Sequence, residues 1–148
     1  MTINPLDTSN YFRGLLMLAG SEKQITQDEK ILLKKIGGVL GFNHSFMEVS
    51  INDFENNKHI KADTPRFSDP EIAELFLKDG IKLAFTNNIL SVHQIDWLMT
   101  FAVENRLSKQ WFFIELENYL DSHNSSREIE FELPKHVVQK YNESTFIH

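Results

Sequence analysis

Apolar residues recur along this chain at spacings of three and four, the period that places them on one face of successive helices. Phe12, Leu15, Leu16 and Ala19 form the first such face. Asn4, Pro5 and Asp7 ahead of it suit a helix entry, because proline is tolerated in a first turn and a carboxylate is favoured at the positive end of the helix dipole. This helix is predicted to end near Gly20. Ile31, Leu32, Ile36, Val39 and Leu40 predict a second helix, closed by Gly41 in a left-handed cap. Asn43 caps a predicted third helix carrying Phe46 or Met47, Ile51 and Phe54. From Asn56 to Phe67 the period is lost and Thr64-Pro65 marks a linker.

Helix formation restarts at Ser68-Asp69-Pro70-Glu71, with Ile72, Leu75, Phe76, Leu83 and Ala84 inward. Gly80 within that helix predicts a close helix neighbour, since glycine in a helix interior otherwise costs about 1 kcal/mol. A fifth helix carries Ile95, Leu98, Phe101 and Ala102 to about Asn105, and Ser108 caps a sixth. Trp111, Phe112, Phe113, Ile114, Leu116, Tyr119 and Leu120 make the sixth apolar over more than half its circumference, which predicts a central helix or an interface. At helical spacing the aromatic stripe Trp111, Phe112, Phe113 and Tyr119 reads as core rather than as a ligand box.

After Asn124-Ser125-Ser126 the period changes to two, with Glu128, Glu130 and Glu132 alternating against Ile129, Phe131 and Leu133. A lone strand has no hydrogen-bond partners, so the apolar side must be covered. Packing on the bundle is the first expectation, a homodimer through paired tails the second and a partner's strand the third. From Pro134 a short helix can resume through Val137, Val138 and Tyr141.

Thr26-Gln27-Asp28-Glu29 and Ser91-Val92-His93-Gln94 both match the capping box, and position 91 minus position 26 gives an offset of 65 residues. That offset also sets Leu18-Ala19 on Leu83-Ala84, Leu33 on Leu98, Ile36 on Phe101 and Phe42 on Leu107. The predicted fold is therefore all-α: a bundle of six to seven helices built from two pseudo-repeated helix-loop-helix halves over residues 1–123, with an extended C-terminal tail over 124–148.

With 148 residues, 41% of them hydrophobic and 24% charged, the composition is that of a soluble globular domain. The run Leu15 to Ala19 is too short to span a bilayer and Met1 to Asn10 lacks basic residues, so a cytoplasmic location without a membrane span is expected. The absence of cysteine removes thiolate chemistry, and a net charge of −6 disfavours nucleic acid as a partner.

No residue set identifies a reaction. His44 with Glu48 and His93 with Asp96 lie at helical spacings, but two ligands without a third read as solvated helix surface. Lys34-Lys35-Ile36-Gly37-Gly38 follows no strand and lacks phosphate-loop spacing. Lys58, His59, Lys61 and Arg66 give the linker a small basic patch, most simply a solvated loop.

At the repeat turns stand Glu22-Lys23-Gln24-Ile25-Thr26 with Glu29, and Asn87-Asn88-Ile89-Leu90-Ser91 with Gln94. Over residues 11–120 this arrangement resembles the tellurite-resistance TerB-like family, all-helical proteins whose repeats carry Ala-Asp-Gly-x-Val/Ile followed by an acidic residue. Glu22 and Asn87 stand at the Asp positions, Lys23 and Asn88 at the Gly positions, and Glu29 and Gln94 at the acid. The resemblance implies a divalent-cation site at Glu22, Glu29, Asn87 and Gln94. Two formal charges in place of four make any such site weak, and Glu29 and Gln94 also complete capping boxes. No other cofactor is expected. The resulting expectation is a non-enzymatic interaction module, with a stress-response assembly implied by the resemblance. The alternative is an acidic inhibitor or immunity-type protein covering a basic partner through Glu128, Glu130 and Glu132, and a small-molecule enzyme is the third class.

Overall fold

A computed structural model of the chain describes residues 3–20, 24–56, 63–87, 90–122 and 130–136. Those residues form six α-helices, α1 (Pro5–Ala19), α2 (Gln27–Val39), α3 (His44–Asn56), α4 (Pro70–Ala84), α5 (Val92–Glu104) and α6 (Lys109–Ser122), a 3-10 turn at Phe85–Asn87 and no strand. The all-helical expectation is met. A turn of helix also begins at Leu133.

The helix boundaries follow from side chains that satisfy terminal amides. Asn4 caps α1 by accepting from Asp7 N at 2.8 Å, and Asn43 caps α3 by accepting from Phe46 N at 2.8 Å. Both capping boxes form, at Thr26 with Glu29 and at Ser91 with Gln94. At the other end of α2, Phe42 N donates to Gly37 O and Gly41 N to Gly38 O, with Gly41 at φ +99°. This is the Schellman arrangement. The same bonds close α5, from Leu107 N to Ala102 O and Arg106 N to Val103 O, with Arg106 at φ +63°.

The start of α4, at Ser68-Asp69-Pro70-Glu71, is capped differently. Asp69 caps α4 by accepting from Glu71 N at 2.9 Å, while Ser68 N and Oγ donate to Asp7 at 3.2 and 2.5 Å. Asp7 is 1% exposed and so ties the start of α1 to the start of α4. Asn105, at the end of α5, holds the residues just before Ser68, accepting from Phe67 N and donating to Pro65 O and Phe101 O, all near 3 Å. The described part of the linker is thereby stitched to both helices.

The central helix is α4, packed against α1, α5 and α6. Phe76 lies at the middle of the aromatic core, with ring centroids 5.2 Å from Tyr11, 5.3 Å from Phe67 and 4.6 Å from Phe101. The predicted closeness at Gly80 is present: a Cβ there would stand 3.0 Å from Leu98 Cδ2 and 3.2 Å from Leu18 Cδ2. One expectation fails at this level and another is narrowed. Ile31 is exposed, because α2 turns Leu33 and Gly37 inward beside the expected Ile36. Helix α6 is not the central helix: only Phe112 is buried on it, and Phe113 stands out in solvent.

Candidate functional site

A buried carboxylate in the middle of α4 organises the most elaborate polar cluster among the described residues. Asp79 falls three residues after Phe76 and four before Leu83, on the face that α4 turns inward, and it is fully buried. An unpaired charge there would be costly, so its oxygens need donors. Tyr11 Oη on α1 donates to Oδ2 at 2.6 Å. Glu132 N donates to Oδ1 at 2.5 Å and Leu133 N to Oδ2 at 3.1 Å. Burial nevertheless outweighs these bonds and pushes the Asp79 carboxyl up to about 6. Burial and the adjacent Asp79 charge raise the Tyr11 hydroxyl well above its ordinary range.

The C-terminal segment 130–136 is received at this carboxylate. Phe131 and Leu133 enter the hydrophobic core, at 4% and 0% exposure, so the expected packing of the tail on the bundle is what the structure shows at these two residues. Lys82 Nζ, one turn along α4, donates to Glu130 O at 2.7 Å and pairs with Glu132 Oε2 at 3.4 Å. Lys135 pairs with the same oxygen at 2.7 Å. Burial alone would raise the Glu132 carboxyl, but the Lys135 hydrogen bond and the Lys82 charge hold it below the usual carboxylate range. A cleft of about 200 Å³ lies beside this segment, lined by Lys78, Lys82, Glu115, Tyr119 and Glu132 among others.

Of the expected partner-binding acids, Glu132 is thus clamped by two lysines of its own chain, Glu130 offers its carbonyl to Lys82, and Glu128 lies outside the described residues, as does Ile129. At the repeat turns, Glu29 Oε1 accepts from Thr26 N at 2.9 Å and Gln94 Oε1 from Ser91 N at 3.2 Å. Both side chains are buried against their own helix starts. Glu29 Oε2 has no hydrogen-bond partner among the described residues. Glu22 and the side chain of Asn87 lie outside the described residues. Among the described residues no group of three His, Asp or Glu side chains is placed to hold a metal ion.

His44 reaches Glu48 at 3.3 Å, but both are exposed, and Lys34 pairs with the same carboxylate. That pairing with Lys34 holds the Glu48 carboxyl below its ordinary value. His93 and Asp96 line an open hollow of about 490 Å³ with Asp63, Trp97 and Glu104. Glu104 is already engaged there by Thr64 Oγ1 at 2.6 Å. Lys58, His59 and Lys61 of the linker patch lie outside the described residues, and Arg66 is 3.9 Å from Glu104.

A second feature is the surface of α6. Phe113, Ile114 and Leu120 are 47%, 54% and 45% exposed, and Phe113 and Leu120, seven residues apart, fall on one line along the helix. Val103 near the end of α5, the helix that α6 packs on, is also exposed.

Sequence reading missed Asp79 and Tyr11. The signal was a carboxylate inside the apolar stripe Leu75, Phe76 and Leu83, where a solvated face has no reason to place one. Comparison with protein-family models, with curated proteins and with solved structures finds no match.

Proposed function

We propose that this chain is a non-enzymatic protein-binding module that docks its partner on α6. The observation that carries this reading is the set of large apolar side chains, Phe113, Ile114 and Leu120, left in solvent on one helix. A helix half of whose residues are apolar or aromatic yet which buries only Phe112 retains surface that a partner's apolar groups would desolvate. The TerB-like resemblance extends the reading to a cytoplasmic stress-response assembly of the tellurite-resistance type. No described helix is long and apolar enough to cross a membrane.

The rival reading, an acidic inhibitor acting through Glu128, Glu130 and Glu132, has less support because the Glu132 charge is already neutralised within the chain. Quantitative affinity purification from the native cell separates the two. A Phe113→Glu/Leu120→Glu variant, shown to be folded by circular dichroism, is expected to lose a defined partner that wild type and Glu130→Gln/Glu132→Gln both retain. Retention by the α6 variant with loss from the tail variant would reverse the assignment.

The reading includes at most a weak divalent cation at the first repeat turn, since only Glu22 and Glu29 are charged there and hard cations favour several carboxylates. Calorimetric titration with calcium or magnesium is expected to show no tight stoichiometric site. A tight site abolished by Glu22→Gln would contradict this.

A further inference from the structure

The way residues 130–136 are held differs from the way a helix of the bundle is held. Every main-chain donor at the start of the segment's helical turn has its acceptor outside the bundle's helical ladders. Glu132 N and Leu133 N go to Asp79, Pro134 has no N–H, and Lys135 N goes to Glu132 O at 3.1 Å. On the acceptor side, Glu130 O is taken by Lys82. The groove therefore reads a stretch of peptide backbone through two of its own side chains, with Tyr11 completing the Asp79 oxygens. Two apolar sites, two residues apart, take Phe131 and Leu133, and between them Lys82 pairs with an acid. Main-chain bonds supplying affinity, with side-chain pockets at alternate positions supplying selectivity, is how folded domains hold linear segments.

We propose that this groove, with Asp79 and Lys82 of α4 and Tyr11 of α1 as its polar anchors, is a docking site for a linear segment of the form aromatic-acid-aliphatic-proline. The chain's own Phe131-Glu132-Leu133-Pro134 is the resident occupant, and the same segment of a second copy is the occupant in trans. The second copy follows from identity: a segment that satisfies these contacts within one chain satisfies all of them when donated by another. The two arrangements differ only in the route of the connecting chain, so concentration selects between them. This site is separate from the α6 surface, and either can fail without the other.

The test uses the full chain with a protease recognition sequence inserted between Ser125 and Ser126, folded first and cleaved afterwards. A fluorescently labelled peptide of residues 127–136 is then added and its anisotropy followed. The peptide is expected to displace the cleaved tail and bind saturably, at least tenfold more weakly when it carries Phe131→Ala and Leu133→Ala. It is expected to bind the uncleaved chain at least about 100-fold more weakly, because the tethered tail competes at high effective concentration. Since these alanines are placed in the peptide, the folding of the protein is untouched.

In the uncleaved chain, incubation at high concentration is expected to yield a dimer by light scattering that the unlabelled peptide returns to monomer. A cleaved tail that stays bound until global unfolding, or peptide binding indifferent to the two alanines, would overturn the proposal. Peptide binding by a chain that remains monomeric would overturn the second-copy assignment and give the trans position to a segment of another protein.

Discussion

Asp79 shows how one side chain takes on work that a periodicity argument assigns to backbone. The alternation from Glu128 to Leu133 reads as a strand, and a strand in an all-helical bundle lacks an edge to pair with. The pattern placed Phe131 and Leu133 on the covered side, which is where they lie. What it could not supply was the acceptor for the amides, because that acceptor is a side chain more than fifty residues away in sequence. The raised Asp79 carboxyl also carries a pH dependence with a definite sign. The folded state holds the proton to about pH 6 and the unfolded state releases it near its ordinary value of 3.8, so between those values the folded state binds more protons and stability falls as pH rises. Asp79→Asn lacks this titration. The stability of wild type relative to Asp79→Asn is expected to decline by on the order of 2 kcal/mol from pH 4 to pH 7. Urea denaturation at several pH values reads this difference directly, and parallel curves for the two proteins would contradict it.

Among the helices, start and stop chemistry was the most legible part of the chain. Thr26, Ser91, Asn4, Asn43 and Ser108 cap helices, and Gly41 ends α2 in the left-handed region. The bounds of α1 and α4, and of α2 and α5, differ by the 65 residues that relate the two capping boxes. At Ser68-Asp69-Pro70-Glu71 two neighbouring side chains, Ser68 and Asp69, compete for the cap. The distant Asp7 decided between them by claiming Ser68 and leaving the cap to Asp69. The inward face of α2 was misjudged for a related reason. Counting apolar residues favours Ile31, whereas the geometry chooses Gly37, where a Cβ would stand 2.4 Å from Met47 Sδ, and so rotates Ile31 outward. The paired helix ends also differ in a way that can be measured. Position 41 is glycine and its counterpart Arg106 is not, although both have positive φ. A left-handed conformation costs a non-glycine residue roughly 1 kcal/mol. Arg106→Gly is therefore expected to raise stability by up to about 1 kcal/mol, seen as a higher midpoint in thermal melting, and a lower midpoint would show that the Arg106 side chain supplies more than its backbone costs.

For the molecule as a whole, α4 at the centre and the segment seated on it make residues 131–133 dependent on the first helix. Tyr11, Asp79 and the amides of Glu132 and Leu133 meet at one carboxylate. Helix α6 was expected to be either centre or interface, and the crowding of α1, α5 and α6 around α4 removed the first option. No pattern within α6 itself could do so, since a broadly apolar helix looks alike in both settings. The shared carboxylate has a consequence in time as well as in space. The Glu132 and Leu133 amides lose their acceptor in the same event, so their hydrogens are expected to exchange with solvent deuterium as a pair, with one opening free energy. That energy should fall below the value for amides in the middle of α4, and, read by magnetic resonance without any added ligand, it reports how often the bundle lets go of this segment.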